Sequence, residues 1–370
     1  MRFSEIVGNP RAIEGLRQDV ASGQPTHSYL FVGPDHVGKL TAGVALAQAL
    51  NCLNPIEGEA CGECDECIRI AEHNHPDVFV TQAKAGKGEE DIVLEGAVVT
   101  IEQAHELRRR SDLRPYQGRY KVEILAGADR MTIEAANALL KTLEEPPAHT
   151  ILVLTPSNLE GVLPTIQSRC RQVRFGLMES EALTLVCKQR FPKLGANELK
   201  AIVSWAGGKP GLAFGLGEHP EALAKRDALL GLFAEAVEAP PFAAFRLAEE
   251  LQHLAQDWWQ ASTGQKKVTA SKPKLARTAV ADALELLLGW LHEILRVQLG
   301  EEPLGLRFAD RYILLASLAQ TRDATWVLAG LEAVQRARRA ALSNANLQLA
   351  LEALFLKLAL GQNLRASSSV

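Results

Sequence analysis

An α/β domain followed by an all-helical region is what this 370-residue sequence predicts, and three observations predict it. Short apolar runs alternate with stretches of helical spacing over the first half of the chain. A glycine-rich turn joins the first of these runs to a helix. From Glu221 onward the pattern is Ala/Leu-rich, amphipathic and almost wholly helical.

Ser28-Tyr29-Leu30-Phe31-Val32 is a compact buried-strand run closed by Gly33-Pro34, and a helix is expected from Leu40 to Leu50. Lys121–Leu125 and Thr150–Leu154 are two further strands. Between them Ile133–Leu143 carries apolar residues at helical spacing and is stopped by Pro146-Pro147. Strands separated by helices imply βαβ units and a parallel sheet covered on both faces. Lys84–Gly96 reads as a polar surface insertion before a helix around Ile101–Arg110. After Phe175 the strand signal fades into short helices up to Trp205, and Gly207–Gly211 punctuates the chain. The C-terminal helices are broken by one loop, Ser262–Pro273, and the last residues, Leu364–Val370, form a small polar tail.

At about 150 residues per domain, the length suggests two or three domains. Lys plus Arg number 40 against 44 Asp plus Glu, a net charge of −4 that excludes coating DNA or a membrane by bulk charge. Apolar residues at 47% and charged ones at 23% exclude wholesale disorder. The opening MRFSEIVGNP has no apolar targeting core, and the long apolar stretch from Ala281 is interrupted by Asp282, Glu285, His292, Glu293 and Arg296. A cytoplasmic protein without a membrane span is expected.

Gly33-Pro34-Asp35-His36-Val37-Gly38-Lys39 fits G-x-x-x-x-G-K between a strand and a helix, the setting in which backbone N–H groups turn toward a phosphate. Lys39 would neutralise the outer phosphates. The next position should hold a Mg²⁺-binding hydroxyl, yet it is Leu40, with Thr41 one place late. A slip of one residue turns a helical side chain by roughly 100°. The acidic pair of an ATPase is expected at the end of the following strand, where Ala126 and Gly127 stand instead; Asp129 lies further along. Nucleotide binding through Gly33, Gly38, Lys39 and Thr41 is compatible with the pattern, which disfavours metal-assisted hydrolysis.

Cys61, Cys64 and Cys67 form C-x-x-C-x-x-C, with Cys52 at the end of the preceding helix. Four thiolates and no open position describe a structural Zn²⁺ site. An iron–sulfur cluster and a redox dithiol are the alternatives, the first lacking its C-x₂-C-x₂-C-x₃-C-P run. His73 and His75 read as solvated surface residues, and Cys170 and Cys187 as core. Arg108–Arg110 reads as an exposed helix face, and Lys266, Lys267, Lys272 and Lys274 as a solvated loop.

The segment Ala135-Ala136-Asn137-Ala138-Leu139-Leu140-Lys141-Thr142-Leu143-Glu144-Glu145-Pro146-Pro147 resembles the bacterial clamp-loader AAA+ proteins, and Ser168-Arg169-Cys170 matches their S-R-C motif. The cysteine cluster inserted after the phosphate-loop helix is a further family feature. The likeness extends over roughly the first 215 residues. The degraded phosphate loop and the missing acids resemble the non-motor delta-prime branch more than the tau/gamma motor subunits. The resemblance implies an AAA+ (RecA-like) domain over 1–173 with an embedded zinc module near 52–67, a small helical lid over 174–217 and an all-α collar over 218–370. It also implies structural Zn²⁺ on the four cysteines and ATP or ADP at the phosphate loop without hydrolysis. Arg169 would be an arginine finger serving a neighbouring subunit's nucleotide, since an always-charged, forked guanidinium suits phosphate oxygens. Thr155 takes the place of the family's sensor residue, and Gly211 that of a nucleotide-sensing arginine. Implied partners are tau/gamma motor subunits, a delta subunit, and through the complex the sliding clamp and primed DNA. Two rival readings are a self-sufficient ATPase motor and a zinc-dependent nucleic-acid-binding module. Against the second, Glu57, Glu59, Glu63, Asp65 and Glu66 make residues 52–67 a poor surface for phosphate.

Overall fold

The computed structural model describes residues 2–83, 98–263, 273–302, 306–343 and 345–360. The 84–96 insertion, the 364–370 tail and Lys266, Lys267 and Lys272 of the lysine loop fall outside them. The chain divides into two compact units, Met1–Glu179 with Gly208–Gly211, and Ser180–Gly207 with Leu212–Val370.

The first unit runs α1 (Pro10–Ala21), β1 (Ser28–Val32), α2 (Lys39–Asn51), α3 (Asp65–Ala71), β2 (Val78–Gln82), α4 (Ile101–Ser111), β3 (Lys121–Ala126), α5 (Ile133–Glu144), β4 (Thr150–Thr155), α6 (Pro164–Gln167) and β5 (Arg171–Arg174). The five strands form one sheet in the order β2-β3-β4-β1-β5, every pair parallel. The three strands expected from apolar runs are its middle three, β3, β4 and β1. Both faces are covered, as a parallel sheet requires. On one side Phe31, Ile124 and Val153 pack under α1 and α2; on the other Leu30, Leu125 and Leu154 pack under α4 and α5.

The two edge strands were not expected. Val78–Gln82 is half-buried along its whole length, and Arg171-Gln172-Val173-Arg174 buries only Val173. Neither has the unbroken apolar run by which a two-sided strand is recognised.

Arg110 does not lie on an exposed face. Its guanidinium turns inward from α4 to the carboxylate of Glu123 in β3, with bonds of 3.0 and 2.9 Å, and to Thr81 Oγ1 at 3.1 Å. It also lies over the Phe79 ring, 4.5 Å from the centroid. Glu123 is completely buried, and burial pushes its carboxyl up to about 7 against the pull of Arg110. Folded Glu123 thus holds a proton more tightly than the unfolded side chain. Stability from this group falls as pH rises from 4.5 through about 7. Arg110→Met removes the opposing charge and should cost about 3 kcal/mol near pH 8, where an unpaired carboxylate would be buried. The loss should shrink at pH 5.5, and adding Glu123→Leu should restore most of it. Urea midpoints of the three proteins at the two pH values check this.

The second unit is helical: α7 (Ser180–Arg190), α8 (Ala196–Ala206), α9 (Pro210–Glu218, its first two residues in the first unit), α10 (Glu221–Glu238), α11 (Ala244–Thr263), α12 (Pro273–Gln298), α13 (Tyr312–Thr321), α14 (Ala324–Ala341) and α15 (Leu347–Leu360). The stretch from Ala281 forms the body of α12, burying Leu284, Leu287, Trp290, Leu291 and Ile294. Arg226 is buried against Asp227 and Asp310, with its guanidinium over Trp205. Among the described residues no helix is long and apolar enough to cross a membrane.

Candidate functional site: the phosphate loop, Arg169 and the cysteine cluster

The loop Gly33–Gly38 leaves the end of β1 and enters α2 through Gly38, whose φ of 96° is left-handed. Gly33 cannot be replaced cheaply, because a Cβ there would meet the Phe175 carbonyl oxygen at 2.1 Å. His36 is also left-handed, at φ 63°, and burial lowers its imidazole pKa.

Lys39 is almost completely buried. Its ammonium donates to the loop's own carbonyls, Gly33 O and Pro34 O (2.6 Å to the latter), and lies 3.6 Å from Asp35. Burial lowers its pKa, with Asp35 pulling the other way. Asp35 accepts from Ser157 Oγ at 2.8 Å, and the Ser157 N–H donates to Asp129 at 2.9 Å. Asp129 therefore ties the turn after β3 to the segment after β4. Leu40, at the hydroxyl position, packs against the core cluster beneath α2, while Thr41 is half-buried one residue on. Thr155 is buried at the end of β4, opposite Ala126 in register. Gly211 donates its N–H to the His36 carbonyl at 2.8 Å, and a Cβ at 211 would sit 3.0 Å from that oxygen. A side chain at 211 would therefore press on the loop backbone at His36.

Arg169 follows α6 and is exposed. It donates to Thr165 O at 2.9 Å and pairs with Glu144, at the end of α5, at 2.6 Å. The motif helix and the S-R-C segment, distant in sequence by about seven turns of helix, are thus joined by that ion pair.

The four cysteines converge as their spacing suggests. Their Sγ atoms all lie within 4.8 Å of one another, Cys61 and Cys67 at 4.0 Å, and none is in a disulfide. Tetrahedral thiolates 2.3 Å from one ion stand about 3.8 Å apart, so the set fits Zn²⁺ after a small contraction. N–H groups of Cys61 and Cys64 donate to Cys52 and Cys61 sulfur at 3.2 and 3.4 Å, which favours thiolates. Burial pushes the Cys52 and Cys67 thiols up, whereas the Glu63 and Cys64 amides bring Cys61 down to about 7.

His73 is exposed as expected, but His75 is not a surface residue. It is 4% exposed, with Nε2 against the buried Glu66 carboxylate and Nδ1 accepting the Asp77 N–H at 3.0 Å. Its partner sits on α3, among the cysteine ligands, nine residues back in sequence. Glu66 also accepts from Gln117, and Gln48 donates to Cys67 O at 2.6 Å. The sequence carried no signal for this network, since each member alone is an ordinary polar residue. Cys170 and Cys187 are buried, as expected of core residues.

A Pseudomonas aeruginosa DNA polymerase III subunit delta' is 29% identical over 343 residues, 90% of this chain and 92% of that one. A Mycobacterium tuberculosis DNA polymerase III subunit gamma/tau is 32% identical over 212 residues, 56% of this chain; the match spans only 35% of that longer relative. Among solved structures, a gamma subunit-related protein from Thermotoga maritima aligns with a TM-score of 0.48 and 16% identity over 94% of this chain and 98% of that one. Residues 8–179 match the family described as DNA polymerase III, delta subunit, and 246–359 match the C-terminal domain of the same subunit. Two successive matches along one chain, with a delta' relative alike over nine-tenths of both lengths, make the chain a member of the DNA polymerase III delta' subunit family.

Proposed function

We propose that this clamp-loader subunit of DNA polymerase III is the non-motor member of its assembly, rigid in its own nucleotide fold and lending Arg169 in trans to a neighbouring ATPase subunit. The observation that carries the reading is the state of the phosphate loop. Lys39 is satisfied by Gly33, Pro34 and Asp35, Leu40 is committed to the core, and positions 126 and 127 have no carboxylate. A Mg²⁺ ion there would lack both its hydroxyl and its acid. ATP or ADP could enter only by prising Lys39 off the loop carbonyls, and would not be hydrolysed. In this reading the chain works in the cytoplasm. Residues 1–173 are the AAA+ module with zinc on Cys52, Cys61, Cys64 and Cys67, 174–217 the lid and 218–370 the collar. Its partners are tau/gamma and delta subunits, with the sliding clamp and primed DNA reached through the complex.

Steady-state ATP turnover tests it on three samples: this chain alone, the motor subunits alone, and their mixture with clamp and primed DNA. The expected result is silence from the chain alone and a raised rate in the mixture that Lys39→Ala leaves unchanged. Turnover by the isolated chain that Lys39→Ala removes would make it a motor in its own right.

A further inference from the structure

From the last turn of α4 to the first residue of β3 the chain reads Arg108-Arg109-Arg110-Ser111-Asp112-Leu113-Arg114-Pro115-Tyr116-Gln117-Gly118-Arg119-Tyr120-Lys121, with six cations against one acid. Three of the cations are already committed. Arg109 pairs with Glu106, Arg110 with Glu123, and Lys121 faces Asp77 at 3.8 Å. Among the described residues, Arg108, Arg114 and Arg119 enter no ion pair. Beside them Tyr116 is 87% exposed and Leu113 61% exposed.

This loop is held rigidly. Asp77 is fully buried, and its carboxylate accepts the N–H groups of Tyr116, Gln117 and Gly118 at 2.7, 2.8 and 2.9 Å. The Tyr120 N–H donates to Asn51 at 2.9 Å, and Arg69 reaches the Gln117 side chain at 3.1 Å from α3. Arg69 donates there to an amide oxygen and not to a carboxylate, so a fourth guanidinium joins the crest. An exposed tyrosine on a pinned loop contributes almost nothing to folding, while its ordering has already been met by Asp77. Binding there loses little further conformational entropy.

The geometry points to a contact site for single-stranded DNA on this crest, with Tyr116 stacking on an unpaired base and Arg69, Arg108, Arg114 and Arg119 on the flanking phosphates. The chemistry is that of strand-binding surfaces generally: planar guanidiniums fork onto phosphate oxygens, and a ring face accepts any base. A duplex hides its base faces and would leave Tyr116 without a role. Tyr116 and Arg69 border the groove of 1640 Å³ along β2, and the strand's path does not continue into it, because Asp65, Glu72, Glu102 and Glu106 line it as well. The site is separate from Arg169 and from the phosphate loop, so it stands or falls independently of the non-motor reading.

Fluorescence anisotropy with the full-length, zinc-loaded chain and a fluorescein-labelled oligothymidylate of about sixteen nucleotides reads it directly. Tyr116→Ala should weaken binding about tenfold and Tyr116→Phe should leave it unchanged, since stacking needs the ring and not the hydroxyl. Arg114→Gln with Arg119→Gln should flatten the slope of log affinity against log salt by about 1.4. All three variants sit on an exposed crest, and thermal melts verify that each is folded. No anisotropy change up to about 100 µM wild-type chain at low salt overturns the proposal. So does equal competition by blunt duplex. Loss of assembly with partner subunits in these variants, with strand affinity intact, overturns it in favour of a protein-binding face.

Discussion

Arg169→Ala should leave the chain folded and able to assemble, yet abolish the rise in ATP turnover proposed for its mixture with motor subunits. The stability half of this expectation follows from exposure. Arg169 and Glu144 are 35% and 50% exposed at the side chain, and a pair that open to water is worth about 0–1 kcal/mol. Its other side-chain bonds, to Thr165 O and at 3.5 Å to Ser168 Oγ, lie at the end of a four-residue helix already started by Pro164. The kinetic half follows from the proposed finger role. A guanidinium delivered to a neighbour's γ-phosphate is worth about 10³–10⁵-fold at the site it serves. Arg169→Lys keeps the charge and loses the fork, so it should recover only a small part. Glu144→Gln frees the guanidinium from its resting partner and should preserve or raise turnover. Rates of the assembled mixture, with assembly verified by gel filtration, separate these outcomes. An Arg169→Ala protein that stimulates as well as the wild type would sink the finger assignment.

How legible these features were in the sequence depends on whether their partners are near or far along the chain. The cysteine cluster is local: four ligands within sixteen positions, so spacing alone foretold convergence. The phosphate loop is local too, and its backbone geometry is written in Gly33 and Gly38. The central strands β1, β3 and β4 announced themselves because burial on both faces demands continuous apolar runs. Edge strands β2 and β5 have one open side and admit Thr81, Arg171 and Arg174, so no run appears. His75 and Arg110 were misplaced for one shared reason. A polar residue is buried only when a particular partner waits for it, and Glu66 and Glu123 become partners through the fold, not through spacing. The same holds for Tyr116, whose N–H is pinned by an aspartate thirty-nine residues earlier.

Chelating the Zn²⁺ proposed for the cysteine cluster should destabilise the first unit by about 5 kcal/mol, lowering its melting temperature by about 10–20 °C. Cys52 and Cys67 are buried and resist ionisation, so four adjacent sulfurs would have neither charge partners nor a disulfide to hold them together. Cys52, Cys61, Cys64 and Cys67 would give up their protons to hold a Zn²⁺ ion, and because only the folded chain brings the four together, that affinity would become folding free energy. The module has little else to bind it to the sheet. Gln48 reaches Cys67 O, Glu66 reaches His75 and Gln117, and the segment from Ala60 to Ile70 buries few apolar side chains. Releasing α3 would take Glu66 away from buried His75 and leave an imidazole N–H unpaired, which adds to the loss. The metal should be lost more readily as pH falls, since protons compete for the thiolates. Metal analysis should find one zinc per chain. After chelation, four thiols should react quickly with a thiol reagent and Cys170 and Cys187 slowly. Cys64→Ser should reproduce the lowered melting temperature with a stoichiometry below one. Iron with visible charge-transfer bands would identify a cluster instead, and a metal-free chain melting at the same temperature before and after chelation would rule out a structural ion altogether.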